Sequence, residues 1–154
     1  PRQDVLPRLT TGCLSDVSSG ARGTLFPQPR INMTKGTSML MDQLAGHGWR
    51  LVLADEPDNT LAGELPDFPV LRVISLSQPG WQESEPVLRP WMHHHGCRAA
   101  LVRPDHYVFG VANSGAELHD LIREWSAWYG RDEASLTNRP LPSERLGTPV
   151  ASGY

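Results

Sequence analysis

At 154 residues the chain has the length of one domain, and a domain of this size buries roughly 68–70% of its unfolded surface without disulfide or metal staples. A net charge of −3 with no block of Lys or Arg argues against a nucleic-acid or anionic-membrane partner. No run approaches 18 consecutive apolar residues, so no transmembrane helix is expected, and fourteen glycines with fourteen prolines imply many loops.

Residues 1–22, rich in Pro, Ser, Thr and Gly, read as a linker or an arm from a preceding domain. Thr24-Leu25-Phe26 is a short strand stopped by Pro27 and Pro29, and Arg30–Met33 is a second, ended by Thr34-Lys35-Gly36. Thr37 then opens a helix with Leu40, Met41 and Leu44 on one face and Gly46 at its end. Trp49–Ala54 reads as a buried strand and Val70–Leu76 as a second clear strand. The acidic, proline-rich stretch between them has weak helical potential at Leu61–Leu65. Pro86 and Pro90 exclude one long helix over 77–96, because proline lacks the N–H and clashes with the preceding turn.

A β-hairpin follows, with strands at 98–103 and 107–112 around a turn containing Pro104 and Asp105. Ser114 and Glu117 form a capping box ahead of a helix. Its apolar stripe is Leu118, Leu121, Ile122, Trp125 and Trp128 or Tyr129, and Gly130 can close it. Residues 131–154 read as a C-terminal tail, leaving 23–130 as the domain proper. The order strand, helix, strand, irregular piece, strand, hairpin, helix predicts an α/β thioredoxin-like sandwich. Its central mixed β-sheet would be flanked by helices, with the strands at 49 and 70 parallel through a crossover. The expected core is Leu51, Val52, Leu53, Leu71, Val73, Ile74, Leu101, Val108, Phe109, Leu118, Leu121, Ile122 and Trp125.

Thiol redox chemistry needs a thiolate at a helix N-terminus with a resolving cysteine two positions on. After the strand at 49–54 stands Asp55-Glu56-Pro57-Asp58, so the redox motif is absent, and Cys97 reads as a small core residue. With only Cys13 besides it, there is no disulfide framework, which fits a reducing cytoplasm. His93-His94-His95, read as strand or turn, has no further ligand at metal-binding spacing and reads as a polar loop. His47, between two glycines, reads as exposed at a helix end, and His106 lies in the hairpin turn, where a polar residue is expected. The pairs Asp55/Glu56 and Glu83/Glu85 read as solvated loop carboxylates. Gly46-His47-Gly48 follows a helix and precedes a strand, the reverse of a dinucleotide-binding turn.

Two segments carry a family resemblance: Gly23-Thr-Leu-Phe-Pro-Gln-Pro-Arg30 and Leu101-Val-Arg-Pro-Asp-His-Tyr-Val-Phe-Gly110. Together they resemble the C-terminal thioredoxin-like domain of the FAD-dependent aromatic-ring monooxygenases, of the 3-(3-hydroxyphenyl)propionate hydroxylase and phenol hydroxylase type. The resemblance runs from about Gly20 to Tyr129, and Pro90 departs from the continuous helix common in that family. It implies a parent enzyme with FAD-binding and substrate domains ahead of this one. The parent would use NAD(P)H to reduce the flavin and O₂ to hydroxylate a phenolic ring. In this family the flavin and substrate residues precede the domain, so no catalytic, cofactor-binding or metal-binding position is carried onto this chain. The expectation is a non-catalytic accessory domain, colourless in isolation and holding neither FAD nor NAD(P)H. A free-standing, redox-inert binding or oligomerisation module is the alternative. A further expectation is an apolar interface face, formed by Val5, Leu6, Leu9, Leu25, Phe26 and the Trp81–Trp91 loop, that supports a homodimer.

Overall fold

The computed structural model describes residues 9, 12–33, 36–54 and 70–137. Among them the chain forms β1 (Arg30–Asn32), β2 (Ser38–Leu40), α1 (Met41–Ala45), β3 (Trp49–Leu53), β4 (Leu71–Ser75), α2 (Leu88–His94), β5 (Ala99–Val102), β6 (Val108–Ala112) and α3 (Gly115–Thr137). Four strands build the main sheet in the order β4-β3-β5-β6. β3 runs parallel to β4, and β5 lies antiparallel to both β3 and β6. β1 and β2 form a separate antiparallel pair.

All five residues of β3 are buried, as expected of a central strand covered on both faces, where an apolar run replaces strict alternation. Alternate side chains then divide the core in two. One face, with Val52, Ile74, Ala100 and Val102, packs against Met41 and Ala45 of α1, Leu88 and Met92 of α2, and Phe26 and Ile31. The other, with Trp49, Leu51, Leu53, Ala99, Leu101 and Phe109, receives Leu118, Leu121, Ile122 and Trp125 of α3. Helices on both faces of a mixed sheet make the α/β, thioredoxin-like sandwich expected from the sequence.

The hairpin and the cap of α3 match the sequence reading closely. Ser114 Oγ accepts the N–H of Glu117 at 3.2 Å. The Glu117 carboxylate reaches one residue beyond Ser114, accepting the N–H of Asn113 at 3.1 Å. Four local readings need correction. Residues Ser38–Leu40 are strand, not helix, because they pair with β1; the helix begins only at Met41. Thr24–Phe26 contributes a single bridge, Leu25 to Tyr107. His93 and His94 end a helix and His95 caps it. That helix tolerates Pro90 because it is the third residue, where a backbone N–H has no intrahelical partner anyway. Finally, α3 continues past Gly130 to Thr137. A helical glycine costs only about 1 kcal/mol, too little to stop a helix whose preceding turns are anchored by Trp125.

Of the expected core, Leu71 is half-buried and Val73 is 46% exposed. β4 is the outermost strand, and on its α3 side Leu71 packs only partly against the core while Val73 stays open to solvent. The weak helix at 61–65, the Asp55/Glu56 pair, Val5, Leu6 and residues 138–154 lie outside the described residues. No described helix is long and apolar enough to cross a membrane.

Candidate functional site

The two signature segments meet. Phe26 donates its N–H to the His106 carbonyl at 2.7 Å, Val108 donates to Thr24 at 2.8 Å, and Gly23 donates to Val108 at 2.9 Å. Gly23 sits at φ 78°, a region that residues with a Cβ avoid. The chain just before joins the same lattice: Ser15 donates its N–H to the Phe109 carbonyl at 2.9 Å, and Arg22 Nη1 reaches the Ser15 carbonyl at 2.7 Å. Residues expected as linker thus lie along β6 and cover what would be an open sheet edge.

The turn between the signature strands is tied as firmly. Arg103 takes Asp105 at 2.6 Å and the Cys13 carbonyl at 3.1 Å, while the Asp105 carboxylate also accepts the N–H of Tyr107 at 3.3 Å. His106 adopts φ 72°, a left-handed conformation in which histidine is one of the commoner non-glycine residues. An irregularity in the β5–β6 register at Val102 leaves Phe109 without a partner residue on β5. Both Phe109 and Gly110 then face α3. A Cβ on Gly110 would stand 2.7 Å from Leu121 Cδ1 and 2.9 Å from Ser15 Cβ, so the last glycine of the signature is set by close packing.

Beneath the turn is a polar cluster that the sequence reading did not single out. Arg50, on the central strand β3, is only 3% exposed. Its Nη1 binds Asp42 Oδ1 of α1 at 2.7 Å, and its Nη2 reaches His106 Nδ1 at 2.8 Å and the Arg103 carbonyl at 3.5 Å. His106 Nε2 lies 3.4 Å from Asp42 Oδ2, and Gln28 Nε2 lies 3.5 Å from His106 Nδ1. One buried guanidinium therefore joins α1, β3 and the hairpin turn, and through His106 it touches the other signature. The signal was present: an arginine inside the run Trp49–Leu53 requires buried partners.

The remaining candidates have structural employment. Glu83, read as a solvated carboxylate, accepts the N–H groups of Val87 and Leu88 at 3.1 and 2.8 Å and so starts α2. A cleft of about 210 Å³ between residues 15–17, β6 and α3 is lined by Glu117, Asp120 and Glu124. Glu117 is engaged at the cap of α3, and Glu124 accepts the N–H of Asp16 at 2.9 Å. His47 is exposed, as read. Among the described residues no group of three or more His, Cys, Asp or Glu side chains is placed to hold a metal ion. Burial pushes the Cys97 thiol up to about 11, the opposite of an activated thiolate. Part of the expected apolar interface is turned inward. Phe26 is buried, its ring meets Trp91 edge-on at 5.2 Å, and Trp81 and Trp91 pack against the same core.

Gly46-His47-Gly48 runs from α1 into β3, as read from the sequence, and a Cβ on either glycine would meet nothing within 4 Å. No protein-family model matches the chain. Over 129 residues, 77% of its length, the chain is 36% identical to the "Probable NADH-specific resorcinol 4-hydroxylase" of Rhodococcus jostii strain RHA1. The chain is therefore a homologue of part of an aromatic-ring hydroxylase. The family resemblance read from the two signatures is thereby borne out. The match spans 23% of that relative, so the chain corresponds to part of a larger protein. Two solved structures are also similar. The OxyS anhydrotetracycline hydroxylase from Streptomyces rimosus aligns with 71% of the chain and 22% of its own length, at 18% identity and a TM-score of 0.49. An aklavinone-11 hydroxylase, solved with FAD and aklavinone, aligns with 77% and 26%, at 19% identity and 0.49.

Proposed function

We propose that the chain is a non-catalytic accessory domain of a cytoplasmic FAD- and NAD(P)H-dependent monooxygenase that hydroxylates phenolic compounds. The observation that carries this reading is the use made of the signature residues. Gly23, Phe26, Arg103, His106 and Gly110 are occupied in holding the β6 edge and its turn together. Residues that bind a substrate or flavin would instead be aimed into an accessible pocket.

The reading draws its chemistry from the resorcinol hydroxylase relative, whose name specifies NADH and a phenolic substrate. Resorcinol and 3-(3-hydroxyphenyl)propionate share the hydroxylated ring on which a flavin monooxygenase acts. When bound in the parent, the flavin supplies oxygen activation; this chain's part is to fold and to pack against its neighbours. The other domains of the parent are therefore its first partners. Self-association as a homodimer is a second possibility, through residues other than the buried Phe26.

Two measurements test this. Purified chain should be colourless and should not retain FAD on gel filtration; co-eluting flavin absorbance would overturn the accessory role. The parent protein should oxidise NADH or NADPH in response to resorcinol or a 3-hydroxyphenyl acid. Full turnover of such substrates by a parent lacking residues 23–130 would show that the domain is dispensable.

A further inference from the structure

We propose that Asp42, Arg50 and His106 form a proton-operated latch on the hairpin turn: protonation of His106 releases Arg50 and loosens the pairing of residues 23–26 with the start of β6. The inference is independent of the parent enzyme's chemistry and rests on hydrogen-bond roles. A guanidinium has five donors and no acceptor. Arg50 Nη2 stands 2.8 Å from His106 Nδ1, so that nitrogen must present its lone pair. The ring proton then belongs on Nε2, the nitrogen that faces Asp42 Oδ2 at 3.4 Å.

A second proton has to enter at Nδ1. It would place an N–H against the guanidinium, replacing a hydrogen bond by two opposed cations. Asp42 faces both rivals, with Oδ1 on Arg50 and Oδ2 on the ring. His106 can therefore keep Asp42 while the Arg50 contact breaks. The other charged groups of the turn do not take Arg50's place. Arg103 and Asp105 are paired with each other at 2.6 Å, and Gln28, the neighbour from the first signature, is uncharged. The consequence passes along the backbone. His106 is held at φ 72°, its carbonyl receives the Phe26 N–H, and the next residue, Tyr107, bridges to Leu25.

The test is ¹⁵N NMR on the whole chain from pH 8 to pH 5, following the His106 ring nitrogens and the exchange protection of backbone amides. At pH 8 the ring should show a protonated Nε2 and a bare Nδ1. As His106 takes its second proton, protection at Phe26 and Val108 should fall by about tenfold or more, while Ile122 in α3 keeps its own. His106→Asn retains tolerance of positive φ and an acceptor near the Nδ1 position but cannot titrate, so its protection should be independent of pH in this range. A proton on Nδ1 at pH 8, unchanged protection through the His106 titration, or an equal pH response in His106→Asn would each overturn the proposal. The wild-type titration decides even if the variant does not fold.

Discussion

The two edges of the main sheet are built to different standards. At the β6 edge, backbone groups of Ser15, Gly23, Thr24 and Phe26 pair with those of Phe109, Val108 and His106. At the β4 edge the only strand partner among the described residues is β3, and Val70 and Val73 are 43% and 46% exposed. Both segments that carry the family resemblance fall at the first edge and neither at the second. The recognisable residues are thus those required to close an edge and fix a turn. They identify the fold and its relatives.

Substitutions on the two sides should separate clearly. The largest effect is expected from Phe26→Ala, which empties a buried position beneath Trp91 and should cost about 3–5 kcal/mol in denaturant unfolding. A cost below ~1 kcal/mol would mean that the first signature is not part of the core. Asp42→Ala leaves the Arg50 guanidinium buried without its carboxylate. Removing one partner of a fully buried pair costs about 3–5 kcal/mol, and partial exposure of Asp42 reduces this to about 2–3.

Cys97 adds a pH-dependent term of intermediate size. Its thiol is raised from 9.0 to about 11 by burial, so the unfolded chain loses this proton first as pH rises. Stability should be unaffected below pH 9 and should fall progressively toward pH 11, by about 2–3 kcal/mol in total. Cys97→Ala should remove that alkaline component; identical alkaline slopes in the two proteins would contradict the burial of the thiol. Gly110→Ala should cost about 1–3 kcal/mol by forcing Leu121 and Ser15 apart from β6. The comparison is sharpest at its weak end, where Val73→Ala on the open edge should change stability by less than ~0.5 kcal/mol.

Legibility in the sequence follows the same division. The hairpin, the cap of α3 and the parallel pair β3–β4 were readable because each rests on a local pattern: a Pro-Asp turn, a Ser-x-x-Glu box, a run of apolar residues. The strand at Ser38–Leu40 was not, since only its pairing with Arg30–Asn32 makes it one. Phe26 and Trp91 looked like surface material because prolines surround them, whereas tertiary packing brings the two rings together. Asp42 lies eight residues from Arg50 and His106 fifty-six, so no local pattern could join them. The unusual feature was Arg50 itself, a charge within a buried strand.

The central claim is that the two signature segments are one structural unit. Native-state hydrogen exchange at pH 7.5 tests it most directly. The amides of Gly23, Phe26 and Val108 should be protected as one group and should open together with the β5–β6 ladder. If Gly23 and Phe26 exchanged at the rate of an exposed loop while the ladder stayed closed, the unit would not exist and the account would fail.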